Sequence, residues 1–487
     1  MSAATRRAHA ILSSPSRRDF LLGAGAAAGL ATLPLSAWGK PQPGPTALTL
    51  TAGLVEQALT ADGSKVGFWG FNGQVPGTPL RFRRGERVRI AFRNALPAPS
   101  AVHWHGLRVP NAMDGVPYVT QDPVLPGGEF IYEFAIPDSG TFWYHPHQNS
   151  FEQVPRGLYG ALIVEEEKPI RVDRELVWLL SDVKIGPDGR QVEDFGRILD
   201  LANEGRLGNQ VLLNGAAAGP GQQVAVRSGE RLRLRLINAA SARIFNLAFE
   251  GHVATAVAFD GQAVTPHPLE KVTLGPGMRT DVVIDCLHAG GSSFAVVDAG
   301  HRGMGELVRL RYSQEKPLRS KPLGTSLQVT PNGLPEPDLA KATDHYIVFQ
   351  GGMRGAPVIG TIDGKPSKIQ DLMEKHGLAW TMNFTAEHEH ALMHEPLLHL
   401  RRGEHVVLRM INETGYAHPM HLHGHFFRVV AIDGQKTRHQ EWRDTVLMGP
   451  RQTIDVAFVA DNPGEWMYHC HILDHAAGGM MGTIAVE

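Results

Sequence analysis

An eleven-residue pattern occurs three times in this 487-residue chain and restricts its fold more than any other feature. The copies run Arg84–Asn94, Ser228–Asn238 and Arg402–Asn412. Each opens on a Gly-Glu pair and closes on an asparagine nine residues after the glycine. Between them the apolar residues alternate: Val88, Ile90 and Phe92; Leu232, Leu234 and Leu236; Val406, Leu408 and Met410. Alternation with period two is the mark of a strand with one apolar face, and a Gly-Glu pair reads as the turn that opens it. Three such copies predict three homologous β-sandwich domains. No stretch sustains apolar spacing at the helical period. Gly 54 and Pro 33 against 20% charged residues also fit a turn-rich β protein.

The anchors place the domains at about 46–167, 170–312 and 344–487, with a Pro-, Lys- and Ser-rich linker over 313–343. Residues Asp371 to His376 read equally as a helical turn or a surface excursion. A net charge of -2 and the lack of a long basic block argue against nucleic acid or an anionic membrane as partner.

Residues 1–40 form a separate unit. Ser16-Arg17-Arg18-Asp19-Phe20-Leu21 precedes an Ala/Gly/Leu-rich run ending near Leu35. This layout resembles a twin-arginine export signal, with cleavage between about Ala37 and Lys40. The alternative is an ordinary hydrophobic anchor, but a glycine-containing run of about fifteen residues is short for a membrane span. The expectation is export through the twin-arginine machinery to a periplasmic or secreted location, without stable membrane insertion of the mature chain.

The repeat asparagines serve as reference points for the histidines. Nine and eleven residues after Asn94 stand His103 and His105; the same offsets from Asn412 give His421 and His423. From Asn238 they give Leu247 and Phe249. A second match aligns Gly140-Thr-Phe-Trp-Tyr-His-Pro-His147 with Gly464-Glu-Trp-Met-Tyr-His-Cys-His471. The outer domains therefore carry four histidine pairs, and the middle one carries apolar core residues instead. A lone pair is as often a packing feature as a ligand set, but four in repeat-matched places are hard to explain by packing. Eight imidazoles gathered between two domains suit several copper ions, since copper heads the divalent affinity order for such nitrogen-rich sites.

Where the first domain has Pro146 the third has Cys470, with His475 and Met480 shortly after. Along a strand, His469 and His471 face one way and Cys470 the other, so a single segment serves two sites. A thiolate, two imidazoles and a weak thioether suit a blue-copper centre, and His418 supplies the second nitrogen. A structural zinc site of Cys and His is the bland alternative. Cys286 lies in a strand-like run and reads as an inert buried thiol; a disulfide between the two cysteines would remove the ligand.

On these motifs the whole mature chain resembles the three-domain multicopper oxidases, specifically the bacterial laccase-like group. The resemblance implies an all-β fold of three cupredoxin-like Greek-key β-sandwich domains and four copper ions. It assigns His418, Cys470, His475 and axial Met480, rather than Met481, to type 1 copper. It assigns His103 and His421 to type 2, and His105, His145, His147, His423, His469 and His471 to the type 3 pair. Implied too is one-electron oxidation of a small donor coupled to four-electron reduction of dioxygen to water; the expected state is a monomer. Asp114 and Asp474 match acidic positions tied to proton delivery in such oxidases, against a plainer reading as turn or surface carboxylates. Asp444 either steadies a ligand histidine, approaches a donor or forms a structural ion pair. Trp104 and Tyr468 are read as near neighbours or as packing.

Phenols, aromatic amines and metal ions such as cuprous ion all fit the donor class, with phenols preferred. Copper-tolerance members of the family often carry a methionine-rich insertion, whereas here Asn412-Glu-Thr-Gly-Tyr-Ala417 precedes His418, and Met373, Met382 and Met393 are scattered. The run Glu387–His394 is open between an extra metal site, a solvated loop and packing. Competing classes are a copper-free scaffold, which would have lost the histidines, a two-domain nitrite reductase, and a copper store.

Overall fold

The three repeats become three copies of one local structure. In this computed structural model, which describes residues 45–59, 63–300, 305–355, 358–362, 364–388 and 395–487, Gly85, Gly229 and Gly403 have φ of 80°, 83° and 83°. Glycine adopts that left-handed backbone without strain. The glutamate that follows turns its carboxylate back to accept a backbone N–H three residues earlier. Glu86 accepts from Arg83 at 2.8 Å, Glu230 from Arg227 at 2.9 Å and Glu404 from Arg401 at 2.9 Å.

The asparagines at the far ends are buried braces. Each side-chain oxygen accepts the N–H two residues on. Each amide donates to two carbonyls: Ala98 and Val124 for Asn94, Arg243 and Leu274 for Asn238, Tyr416 and Gly449 for Asn412. The brace ties the exit loop down, so the chain enters its next strand at a fixed place. That strand carries His103 and His105 in the first domain and His421 in the last, with His423 just past its end.

The sheets come in pairs along the chain, as expected for cupredoxin-like β-sandwiches. Two four-stranded sheets lie between Thr46 and Glu165, and a seven- and a five-stranded sheet between Arg174 and Tyr312. A second seven- and five-stranded pair, with a small hairpin of Ile359–Ile362 and Lys365–Lys368, follows from Thr343 to Val486. Each pair encloses an apolar cluster, built on Ile90, Phe92 and Tyr132, on Leu234, Phe245 and Val282, and on Leu408, Phe427 and Val456. Full burial of such a side chain contributes roughly 1.5–3 kcal/mol.

The strand Glu230–Asn238 is buried along both faces. Its leucines fill the sandwich. On the other face Arg233 and Arg235 meet Glu166, Glu175 and Asp281 in a buried ion-pair network. This is why a strand with one apolar face carries arginines on the other without reaching solvent.

Residues 313–342 contain no helix or strand, yet they are held down. Arg319 pairs with Asp173, and Asn332 bonds Ser139 and Gln262. The open reading of 371–376 resolves as the helix Ile369–His376, ended by Gly377 at φ 69°. Among the described residues no helix is long and apolar enough to cross a membrane. The signal over 1–40 and most of the 387–394 segment lie outside the described residues.

Candidate metal centre

Strand pairing gathers the eight paired histidines. Antiparallel register sets His103 opposite His145 in the first domain and His421 opposite His469 in the last. The same register sets Met420 opposite Cys470, on the other face. All eight imidazoles are buried and meet where the first and last sandwiches touch.

Three groupings emerge. The Nε2 atom of His469 lies 3.3 Å from that of His147 and 3.2 Å from that of His423. The rings of His105, His145 and His471 lie 4.9–5.7 Å apart. His103 and His421, with ring centroids 5.9 Å apart, stack on His423 and His105 respectively.

Four of the eight rings, His103, His105, His145 and His421, are tethered through one nitrogen and free at the other. Nδ1 of His103, His145, His421 and His469 meets the carbonyls of Asp114, Pro146, Asp444 and Cys470 at 2.8–3.0 Å. Nδ1 of His423 meets Asp114 Oδ2 at 2.8 Å. Among the described residues Nε2 of His103, His145 and His421, Nδ1 of His105 and both nitrogens of His471 have no partner, although all are buried. Burial lowers the pKa of His105, His145, His147, His421, His423, His469 and His471, which keeps them neutral. Buried neutral nitrogens with converging lone pairs fit metal ions, because a cation satisfies donors that cannot bond each other.

The second cluster lies on the opposite face of the same strand. Cys470 Sγ is 3.6 Å from Nδ1 of both His418 and His475, which are 3.0 Å from each other. The outer nitrogens are occupied: His475 Nε2 donates to the Asn203 carbonyl at 2.6 Å, and His418 Nε2 meets Thr414 Oγ1 at 2.7 Å. Both tautomers are thereby set with Nδ1 facing the sulfur. Burial pushes His475 down to about 3 and the Cys470 thiol up. Met480 packs in the same cluster as Cys470, while Met481 belongs to a separate one with Val116 and Met467. Cys286 is buried in the middle domain, and neither cysteine is in a disulfide.

The acids differ in what they touch. Asp114 lies against both His103 and His423. Asp474 is fully buried; its Oδ2 accepts the Arg206 N–H at 2.9 Å, and burial pushes its pKa up to about 7. Asp444 steadies His105 and His421 and is also ion-paired, to Arg279. Trp104 packs in the first core, and the Tyr468 hydroxyl meets Met410 Sδ at 2.7 Å, so both face away from the cage.

The middle domain supplies more than apolar packing. Arg279, Gly277, Asn203 and Arg206 all reach the two clusters from it. No repeat-based signal marks them, because the outer domains have no equivalent contacts to compare.

The clusters bring together groups that can hold metal as His103/His421/His423, His147/His423/His469, His103/His105/His145 and His418/Cys470/His475. With the paired sandwiches they define a multicopper oxidase of the type 1, type 2 and type 3 architecture. Family models described as multicopper oxidase match residues 55–169, 192–310 and 362–487, and the chain belongs to that family.

Among particular relatives, Multicopper oxidase MmcO of Mycobacterium tuberculosis is 30% identical over 464 residues, spanning 89% of this chain and 86% of that one. Copper resistance protein A of Pseudomonas syringae pv. tomato is 26% identical across 98% of this chain and 100% of its own. The crystal structure of a multi-copper oxidase from Pseudomonas thermotolerans matches with a TM-score of 0.79 and 32% identity, covering 92% of this chain and 100% of that one.

Proposed function

We propose that this multicopper oxidase draws electrons singly from small phenolic or aromatic-amine donors and reduces dioxygen to two waters. In this reading His418, Cys470, His475 and Met480 hold type 1 copper. His103 and His421 hold type 2, and His105, His145, His147, His423, His469 and His471 hold the type 3 pair. Copper ions so bound supply one-electron acceptance at one site and concerted four-electron delivery to dioxygen at the other.

The observation that carries this reading is the strand ending at Cys470. The thiol belongs to one cluster, while His469, which joins His147 and His423, and His471, whose ring lies against those of His105 and His145, face the other. Cys470 therefore offers the shortest bonded route between them. Asp114 orients His103 and His423. Asp474, buried behind the cysteine strand, is placed to hold and pass a proton. In the same reading the three sandwiches are taken at about 46–167, 170–312 and 344–487, and the pairing of sheets along the chain supports that division. The Arg17-Arg18 segment supports a periplasmic or secreted location.

Oxidation of cuprous ion is the second reading, favoured by the likeness to Copper resistance protein A. The absence of a dense methionine stretch in the sequence favours phenols. Oxygen uptake by the copper-loaded protein, with a methoxyphenol against cuprous ion, tests both. Higher kcat/KM with the phenol is expected. Faster uptake with cuprous ion reverses the order, and none with either, at full copper loading, overturns the assigned activity.

A further inference from the structure

Both imidazoles of the cysteine cluster have their outer nitrogens bonded within the protein, and both bonds lead back to Tyr416. Thr414 Oγ1 donates to the Tyr416 carbonyl at 3.3 Å, accepts the Tyr416 N–H at 3.1 Å and so accepts from His418 Nε2 as well. The same Tyr416 carbonyl accepts Asn412 Nδ2 at 2.8 Å, the brace of the third repeat. The backbone of this tyrosine is therefore held by the loop that sets His418.

Its side chain reaches the middle domain. The ring is buried and crosses that of Trp380 at 90°, with centroids 5.5 Å apart. Burial raises the Tyr416 pKa, so the hydroxyl keeps its proton, and it donates to Asn203 Oδ1 at 2.7 Å. The other end of that amide fixes its orientation, since Nδ2 donates to the Leu199 carbonyl at 2.8 Å. The backbone carbonyl of the same Asn203 accepts His475 Nε2 at 2.6 Å.

Residues 201–206 thus form a strap across the cluster, fastened to the last domain at several points. The Leu201 carbonyl accepts Trp380 Nε1 at 2.6 Å, the Ala202 carbonyl accepts the Met353 N–H at 3.0 Å, and the Arg206 N–H donates to Asp474 at 2.9 Å. Arg206 Nε, 3.1 Å from Asp194, anchors the strap on its own domain. Trp380 closes the remaining side, its ring centroid 4.5 Å from that of His475 and 5.1 Å from that of His418. Trp380 and His475 are both fully buried, so water has no open path to replace the Asn203 carbonyl.

We infer that Tyr416 is a positioning residue for the metal held at His418, Cys470 and His475: acting through Asn203, its hydroxyl keeps a middle-domain carbonyl on the outer nitrogen of His475 and so favours the oxidised ion. The inference rests on the type 1 assignment made above. A ring N–H bonded to a carbonyl leaves the opposite nitrogen more basic, and a doubly charged cupric ion gains more from that than a singly charged cuprous ion. Loosening the carbonyl therefore shifts the balance toward the cuprous form and raises the potential.

The test uses the copper-loaded protein with Tyr416→Phe, Asn203→Ala and the two combined. Tyr416→Phe keeps the ring against Trp380 and removes only the hydroxyl. Anaerobic titration with one-electron mediators gives the cupric/cuprous equilibrium of the blue centre, and electron paramagnetic resonance gives its copper hyperfine splitting. Each single variant is expected to favour the cuprous form about threefold, a rise of about 30 mV at 59 mV per tenfold, with a changed splitting. Because Tyr416 acts through Asn203, the double variant should shift no further than Asn203→Ala alone. Urea unfolding of the four copper-free proteins reads the same link without metal, with an expected coupling of about three- to tenfold in the folding equilibrium. An unchanged or lowered potential in Tyr416→Phe, shifts that add in the double variant, or a copper-free cycle without coupling overturns the role of Tyr416 and leaves the blue centre standing. A parent protein fully loaded with copper but without a blue band overturns the type 1 assignment itself, and this inference with it.

Discussion

Arg279 grips Asp444 through two parallel contacts, Nη1 to Oδ1 at 2.7 Å and Nη2 to Oδ2 at 2.5 Å, with both residues fully buried. Arg279 belongs to the middle sandwich and Asp444 to the last, and Asp444 touches His105 of the first and His421 of the last. The domain without histidine pairs therefore sets the rings of both others.

Removing the guanidinium leaves a buried carboxylate unpaired, which costs about 3–5 kcal/mol. Arg279→Met is expected to lower the thermal midpoint and to lose copper from the histidine cage while keeping the blue band of the Cys470 cluster. Arg279→Lys restores the charge without the two-point grip and should recover stability more than cage copper. Copper per chain and electron paramagnetic resonance measure the split. Full cage copper in Arg279→Met would show that Asp444 holds the rings unaided.

What could be read in advance divides along physical lines. The repeated Gly-Glu turn and asparagine are local devices, since each glutamate bonds three residues back and each asparagine braces its own loop. They recur as sequence, and with them come the strands and the offsets to His103, His105, His421 and His423. Cys470, His475 and Met480 were legible because they sit within one short segment. Asn203, Gly277 and Arg279 act across domain boundaries, through a carbonyl, a missing Cβ and a salt bridge. None of these leaves a pattern in neighbouring residues. The both-sided burial of Glu230–Asn238 was hidden likewise, because its arginines look solvent-facing until Glu166 and Asp281 are placed against them.

Asp474 is one residue from His475, and its Oδ1 is buried without a partner among the described residues. A carboxyl placed so can pass protons, and an amide cannot. Asp474→Asn should reduce kcat for oxygen uptake about 10–100-fold. Anaerobic bleaching of the blue band by a phenol should proceed at the parent rate, because donor oxidation does not use this side of the strand. Equal slowing of both steps, seen by stopped-flow absorbance, would assign Asp474 a structural role.

The network at the first and middle sandwiches makes stability depend on pH. Burial alone would push Glu166 up, but Arg235 and Arg233 outweigh it and hold the carboxyl at about 2, against 4.5 as the ordinary value. A carboxylate depressed in the fold stabilises fully above its unfolded value, and loses that contribution as the pH falls from about 4.5 to about 2. The shift corresponds to roughly 3 kcal/mol. Glu166→Gln is expected to be less stable than the parent at pH 7 and to lose less on acidification through that window. Urea midpoints at pH 7, 4 and 3 measure it; parallel losses in both proteins would place the acid sensitivity elsewhere.

Gly277 provides the sharpest test of how tightly the middle domain shapes the cage. It lies at φ 83°, and a Cβ there would stand 2.8 Å from Cγ and Cδ2 of His471 and 3.1 Å from Cε1 of His105. The backbone cannot easily yield, because Gly277 donates to the Asn238 carbonyl at 2.9 Å and accepts from Arg279 Nη1 at 3.2 Å. The two imidazoles must move instead, and His471 is joined directly to Cys470. Gly277→Ala should therefore cost about 1–2 kcal/mol from the left-handed backbone alone. Beyond that, it should reduce copper at the His105, His145 and His471 grouping while the His418–Cys470–His475 cluster still fills. Copper per chain, the blue band and oxygen uptake separate these effects. A variant with full copper and parent turnover would mean that the rings give way freely, and that the middle domain's approach at this point does not set their geometry.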